Sequence, residues 1–136
     1  MRILVDTSVW SLALRRKIDK LNSHEVTILK MLRELIQEVR VILIGPIRQE
    51  LLSGIANESQ FELLRKKLRA FEDLPLTTAD YEAAADFFNI CKKQGIQGSA
   101  IDFLICAVAH NHRLALFTLD NDFRQYAPLT GIHLLQ

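Results

Sequence analysis

The chain has 136 residues, 49% apolar and 24% charged, enough to bury a core without disulfides or a structural metal, and this excludes a disordered polypeptide. Seventeen Lys and Arg against sixteen Asp and Glu leave a net charge of +1, which by itself argues for no nucleic-acid partner. No apolar run approaches the roughly 18 residues of a membrane span, and Met1-Arg2 leads straight into an apolar run with no signal peptide, so a soluble, cytoplasmic, single domain over 1–136 is expected.

Ile3 to Val5 reads as a short buried strand, with Asp6 at its carboxyl end. Thr7 and Ser8 are then expected to cap a helix through Val9, Trp10, Leu12 and Ala13, which stops at the basic break Arg15-Arg16-Lys17. Asn22 and Glu25 look like a capping pair opening a long helix. Its stripe is read as Val26, Leu29, Leu32, Ile36 and Val39, widened by Ile28, Met31 and Leu35. Val41 to Ile44 is a second buried strand, and Gly45-Pro46 begins a helix through Ile47, Glu50 and Leu52 that ends near Gly54. Asn57 to Phe71 is an amphipathic helix with Phe61, Leu64, Leu68 and Phe71 as its stripe. Leu74-Pro75-Leu76 is a short extended piece. Thr77 or Thr78 caps a helix to Lys93 that Gly95 ends, and Ser99 caps another from Ala100 to about Asn111. Leu114 to Thr118 is a strand, Leu119 to Phe123 a turn, Pro128 and Gly131 punctuate the tail, and Ile132 to Leu135 is a last strand. This alternation predicts an α/β fold whose central, mostly parallel sheet of four to five strands carries helices on both faces. Cys91 and Cys106 lack metal or CxxC spacing and read as small buried hydrophobes in a reducing compartment.

Acids in places that disfavour them carry the chemistry. Asp102 lies in the apolar run Ala100 to Ala109, where an isolated carboxylate costs several kcal/mol unless paired or bound to a metal. Ser99-x-x-Asp102 also fits a capping box, which would satisfy the acid without any ligand. Glu50 lies early in a helix that follows a buried strand, where acid is favourable in any case. Asp120 and Asp122 follow the strand ending at Thr118, in a turn where such residues are ordinary. Their shared address decides the reading: Asp6, Glu50, Asp102 and Asp120 or Asp122 each follow a strand or open a helix, and a parallel sheet carries all of them to one edge. Carboxylates gathered there need a counter-cation, and Mg²⁺ or Mn²⁺ suits an all-oxygen site. Withdrawing these acids leaves an excess of bases outside, compatible with a polyanion partner. His24, His110, His112 and His133 are too scattered for zinc, and there is neither a GxGxxG nor a GxxxxGK[ST] run.

Four motifs in order, Asp6-Thr7-Ser8-Val9-Trp10, Pro46-x-x-x-Glu50-Leu51-Leu52-x-Gly54, Asp102-x-x-Ile105-x-Ala107 and Thr118-x-Asp120-x-Asp122-Phe123, make the chain resemble the PIN-domain nucleases, within them the VapC-type toxins of toxin–antitoxin pairs. The resemblance spans essentially the whole chain and implies a PIN-like three-layer sandwich. It also implies a Mg²⁺-dependent endoribonuclease, with Mn²⁺ substituting, whose acidic site is Asp6, Glu50, Asp102 and Asp120 with Asp122 as a fifth member. Asp6, Asp102 and Asp120 are the implied metal ligands, with the choice between Asp120 and Asp122 left open. Thr7, Ser8 and Thr118 are implied auxiliaries, and either Glu50 or Asp120 is the base. An antitoxin partner and a homodimer are also implied. Arg15, Arg16, Lys17 and Arg48 stand near enough to the expected edge to meet RNA phosphates, contacts that position without specifying sequence. The alternative is a non-catalytic PIN module that binds RNA or a protein, its acids serving as caps.

Overall fold

The structure, a computed structural model, describes residues 1–15 and 18–135. Four strands, β1 (Ile3–Val5), β2 (Val41–Ile42), β3 (Ala115–Phe117) and β4 (His133–Leu134), form one sheet in the order β2-β1-β3-β4, with every pairing parallel. Seven helices surround it among the described residues: α1 (Thr7–Arg15), α2 (Ser23–Gln37), α3 (Gly45–Leu52), α4 (Glu58–Leu68), α5 (Thr78–Lys93), α6 (Ala100–Asn111) and α7 (Asp122–Thr130). A 3₁₀ turn, Ile18–Lys20, precedes α2. Successive strand residues face opposite sides of a sheet, and Ile3, Leu4 and Val5 are all fully buried, so both faces of β1 are covered. The expected α/β architecture is the one observed. The expected extended piece Leu74-Pro75-Leu76 forms no strand; the bridge beside β2 is made one residue earlier, Asp73 to Leu43, with the Leu74 N–H donating to Leu43 O at 2.8 Å.

Connectivity fixes where a ligand meets such a sheet. The chain leaves β1 for β2 on one side and later returns to β3 on the other, so the direction of winding reverses between β1 and β3. A crevice opens outside the carboxyl ends of strands at such a point. Val5 pairs with Phe117 as the last residues of β1 and β3, and the next amide, Asp6 N–H, donates to Phe117 O at 2.9 Å. Asp6 and Thr118 therefore emerge side by side at the crevice.

Several local expectations need correction. The core of α2 is Ile28, Leu32 and Leu35, whereas Val26, Ile36 and Val39 of the expected stripe are exposed. The stripe lies a fraction of a turn round the helix from the expected one. The Asn22–Glu25 capping box is present, with both reciprocal bonds. α2 ends in a Schellman arrangement, Arg40 N–H to Leu35 O and Val39 N–H to Ile36 O, which forces Val39 to φ +56°, a conformation costly for a β-branched residue. The segment from Leu119 onward is more than a turn. Helix α7 begins at Asp122 and buries Phe123, Tyr126 and Thr130, with Pro128 tolerated near its end. The Arg16 and Lys17 of the expected basic break, and the side chain of Arg15, lie outside the described residues.

Candidate metal and nucleic-acid site

Asp6 occupies the position before α1, and its carbonyl accepts the N–H groups of Val9 and Trp10 at 3.1 and 3.2 Å. Neither Thr7 nor Ser8 caps the helix as expected, because the cap position belongs to Asp6. Ser8 Oγ instead donates to Asp6 Oδ2 at 2.9 Å and accepts from the Leu119 N–H at 2.9 Å. Thr118 Oγ1 donates to the same Asp6 Oδ2 at 2.7 Å and accepts from the Asp120 N–H at 3.0 Å. Asp120 Oδ1 in turn accepts the Asp122 N–H at 2.9 Å, an Asx turn that leads into α7. Asp6 is 6% exposed, so two neutral hydroxyls hold one oxygen of a nearly buried carboxylate. Its Oδ1 receives no hydrogen bond among the described residues. Thr7 Oγ1, immediately following, is buried without a partner among the described residues.

Asp102 reaches the same edge from α6. Ser99 Oγ accepts the Asp102 N–H at 3.2 Å, but the reciprocal half of a capping box is not made. The carboxylate is turned elsewhere: Tyr126 OH donates to Asp102 Oδ2 at 3.0 Å. Tyr126 is fully buried, and burial, the hydrogen bond to Asp102 and the charges of Asp102, Asp122 and Asp120 all push its phenol above the usual tyrosine value. Burial, then the charge of Asp102 and more weakly that of Asp6, raises the Cys106 thiol to about 12. Tyr126 and Cys106 thus sit within the fields of acids from three different segments. Tyr126 was absent from the sequence reading, although Phe123, Tyr126, Ala127 and Thr130 at i, i+3, i+4 and i+7 give the helical signal that would have placed it. Gly98 makes room for this contact, since a Cβ there would lie 2.5 Å from the Tyr126 hydroxyl.

Hydrogen bonds thus join Asp6, Asp120 and Asp122 through Ser8 and Thr118, whereas Asp102 is bonded to Tyr126 and shares with them only the charge felt at Tyr126 and Cys106. Glu50 is exposed in the second turn of α3, and among the described residues no hydrogen bond or ion pair joins it to them. Nor do any three Asp, Glu, His or Cys side chains among the described residues form a ready-made metal cluster. The donor set nevertheless suits a hard cation. Asp6, Asp102 and Asp120 each have one oxygen fixed by a hydroxyl or amide donor and the other with no donor among the described residues, and Mg²⁺ is typically bound through one or two carboxylates and several waters. Arg48, expected to meet phosphate, is committed elsewhere: it donates to Asp73 Oδ1 at 3.0 Å, to Leu68 O at 3.0 Å and to Phe71 O, tying α3 to the end of α4. Its charge and planar fork are consumed by the fold.

Next to Thr118 and Asp120 lies a cavity of about 260 Å³, lined also by His24, Leu119, Asn121, Arg124, Leu134 and Leu135. No helix among the described residues is long and apolar enough to cross a membrane.

A parallel α/β sheet with carboxylates emerging at its switch point defines the class, an α/β domain with an acidic crevice. A family model described as the PIN domain matches residues 3–129, and the chain belongs to that family. PIN domains are generally nucleases that use divalent metals. Solved structures agree with the fold. The chain is similar to FitAcB from Neisseria gonorrhoeae, at 25% identity and TM-score 0.77, over 98% of this chain and 96% of that one. It is similar to VapBC2 from Rickettsia felis bound to a promoter DNA fragment, at 15% identity and TM-score 0.77, over 99% and 98%. A toxin–antitoxin complex from Klebsiella pneumoniae gives 18% identity and TM-score 0.62, over 96% and 94%. Among curated proteins, none matches the chain.

Proposed function

We propose that this protein is a Mg²⁺- or Mn²⁺-dependent endoribonuclease acting as the toxin of a toxin–antitoxin pair, a single domain over 1–136 that works in the cytoplasm as a homodimer until a cognate antitoxin suppresses it. The observation that carries the reading is the pairing of Asp6 with Ser8 and Thr118: two hydroxyls fix Oδ2 of a nearly buried carboxylate and leave Oδ1 for a cation. Membership of the PIN family and likeness to toxin–antitoxin complexes support the biological role.

In this reading Asp6, Asp102 and Asp120 hold the cation. When bound, it polarises the scissile phosphate, lowers the pKa of an attacking water and offsets charge on the leaving oxygen. Ser8 and Thr118 keep Asp6 in one rotamer, and Tyr126 does the same for Asp102, so the carboxylates meet substrate already oriented. Asp122 carries its amide to Asp120 and adds charge at the rim. Glu50 or Asp120 takes the proton from water.

The unattached position of Glu50 and the lack of a closed three-acid cluster among the described residues favour, as second reading, a non-catalytic PIN module that binds RNA or a protein. Incubating the protein with single-stranded RNA and with DNA of matching sequence, each with Mg²⁺ or with chelator, separates the two. Metal-dependent cleavage of RNA is the expected result. RNA left intact under all conditions supports the module, and cleavage of DNA alone reassigns the substrate.

A further inference from the structure

The cavity beside Asp120 combines features that the acidic site does not use. Its lining is more polar than apolar: Arg124 and His24 supply basic groups and Asn121 an amide, with Leu119, Leu134 and Leu135 completing the wall. Arg124 and His24 are exposed, and neither side chain makes a hydrogen bond or ion pair among the described residues. A guanidinium left unpaired beside carboxylates is available to an incoming anion, and its planar fork matches two phosphate oxygens. Asp120 and Thr118 line the same cavity and also belong to the hydrogen-bond chain that holds Asp6.

We infer that this cavity is the subsite for the nucleotide flanking the scissile bond, with Arg124 and His24 holding its phosphate. The inference rests on the nuclease reading and extends it, since the basic contacts expected from the sequence were Arg15, Arg16, Lys17 and Arg48. One polyanionic strand then bridges two neighbouring charge environments: the scissile phosphate meets the carboxylates through a cation, and its neighbour meets Arg124 and His24 directly. A subsite of this kind aligns the strand across the β1–β3 crevice.

The test measures binding and kinetics of wild type, Arg124→Ala, Arg124→Lys and His24→Ala. Binding of a fluorescein-labelled single-stranded oligoribonucleotide is followed by anisotropy in chelator, across a salt series. Cleavage of the same strand is followed with Mg²⁺. Losing one phosphate contact to a single strand lowers the slope of log K against log salt by about 0.7, so Arg124→Ala should show that drop and Arg124→Lys should largely retain the wild-type slope. KM should rise about tenfold in Arg124→Ala and less in His24→Ala, with a smaller change in kcat, because the contact is held in ground and transition states alike. An unchanged slope and KM in Arg124→Ala overturns the subsite, and so does a fall in kcat at constant KM. Wild-type protein that neither binds nor cuts RNA, or that prefers the DNA strand, overturns the nuclease reading itself, an outcome distinct from either of these.

Discussion

Thr118 and Asp6 stand 112 positions apart in the chain, yet the threonine hydroxyl donates to the Asp6 carboxylate at 2.7 Å. The parallel register of β1 and β3 produces this contact, because Val5 and Phe117 pair as the last residues of their strands. The same hydroxyl accepts from the Asp120 amide, so one side chain couples two carboxylate-bearing segments. Thr118→Val should therefore loosen both. Leaving a half-buried amide and carboxylate short of one partner costs about 1–3 kcal/mol, and metal affinity should fall with it. Thr118→Ser should recover most of both losses, as read by thermal denaturation and by Mn²⁺ titration. Equal metal affinity in Thr118→Val would remove Thr118 from the site.

Tyr126→Phe keeps the buried ring and deletes only the hydroxyl that orients Asp102. A stability loss of about 1 kcal/mol is expected, with a larger proportional loss of cleavage. Gly98→Ala should act on the same contact from the other side, because its Cβ would intrude on both the Tyr126 hydroxyl and the Phe103 ring. Cleavage rates and denaturant midpoints of the two variants check this. Activity unchanged in both would show that Asp102 needs no positioning.

Asp80 provides a pH signature away from the site. It is fully buried at the start of α5, where burial pushes its carboxyl up but hydrogen bonds from His112, the Thr77 N–H and Asn111, together with the His112 charge, outweigh that and leave it below the ordinary 3.8. A carboxylate depressed on folding contributes stability that is present above its unfolded value and is lost as pH falls through the folded one. Wild-type stability should thus decline steeply below about pH 3.8, and Asp80→Asn should start lower at neutral pH and decline less. Urea unfolding between pH 2 and 7 gives both curves, and parallel curves would contradict the assignment.

Val39 is 87% exposed at φ +56°, so its side chain gains little by packing and costs the backbone strain. Val39→Gly should raise stability by about 1 kcal/mol, a gain visible as a higher melting temperature with unchanged cleavage.

The placement of much of the candidate site was legible in the sequence, because an acid just after a short buried strand has only one edge of a parallel sheet to occupy. Asp6 and Asp120 follow from that rule. Partnerships across the chain were not legible. Ser99-x-x-Asp102 looks like a capping box, and only the packing of α7 against α6 reveals that the carboxylate belongs to Tyr126. The helix carrying Tyr126 was itself masked by Pro128, which breaks helices in their interior but is tolerated at the end of α7. Arg48 shows the converse limit: a basic residue near the expected edge is indistinguishable in sequence from one that ties down carbonyl groups. The α2 stripe was misplaced because its apolar residues span too wide an arc for periodicity alone to tell which side faces the sheet.

The most direct test of the central claim, that Asp6 anchors a divalent cation, is the melting temperature of wild type and Asp6→Asn with and without millimolar Mn²⁺. Wild type should melt several degrees higher with Mn²⁺, since a ligand that binds only the folded state stabilises it by mass action, whereas Asp6→Asn should fold and show little or no shift. An equal shift in both proteins, or none in wild type, would contradict the account.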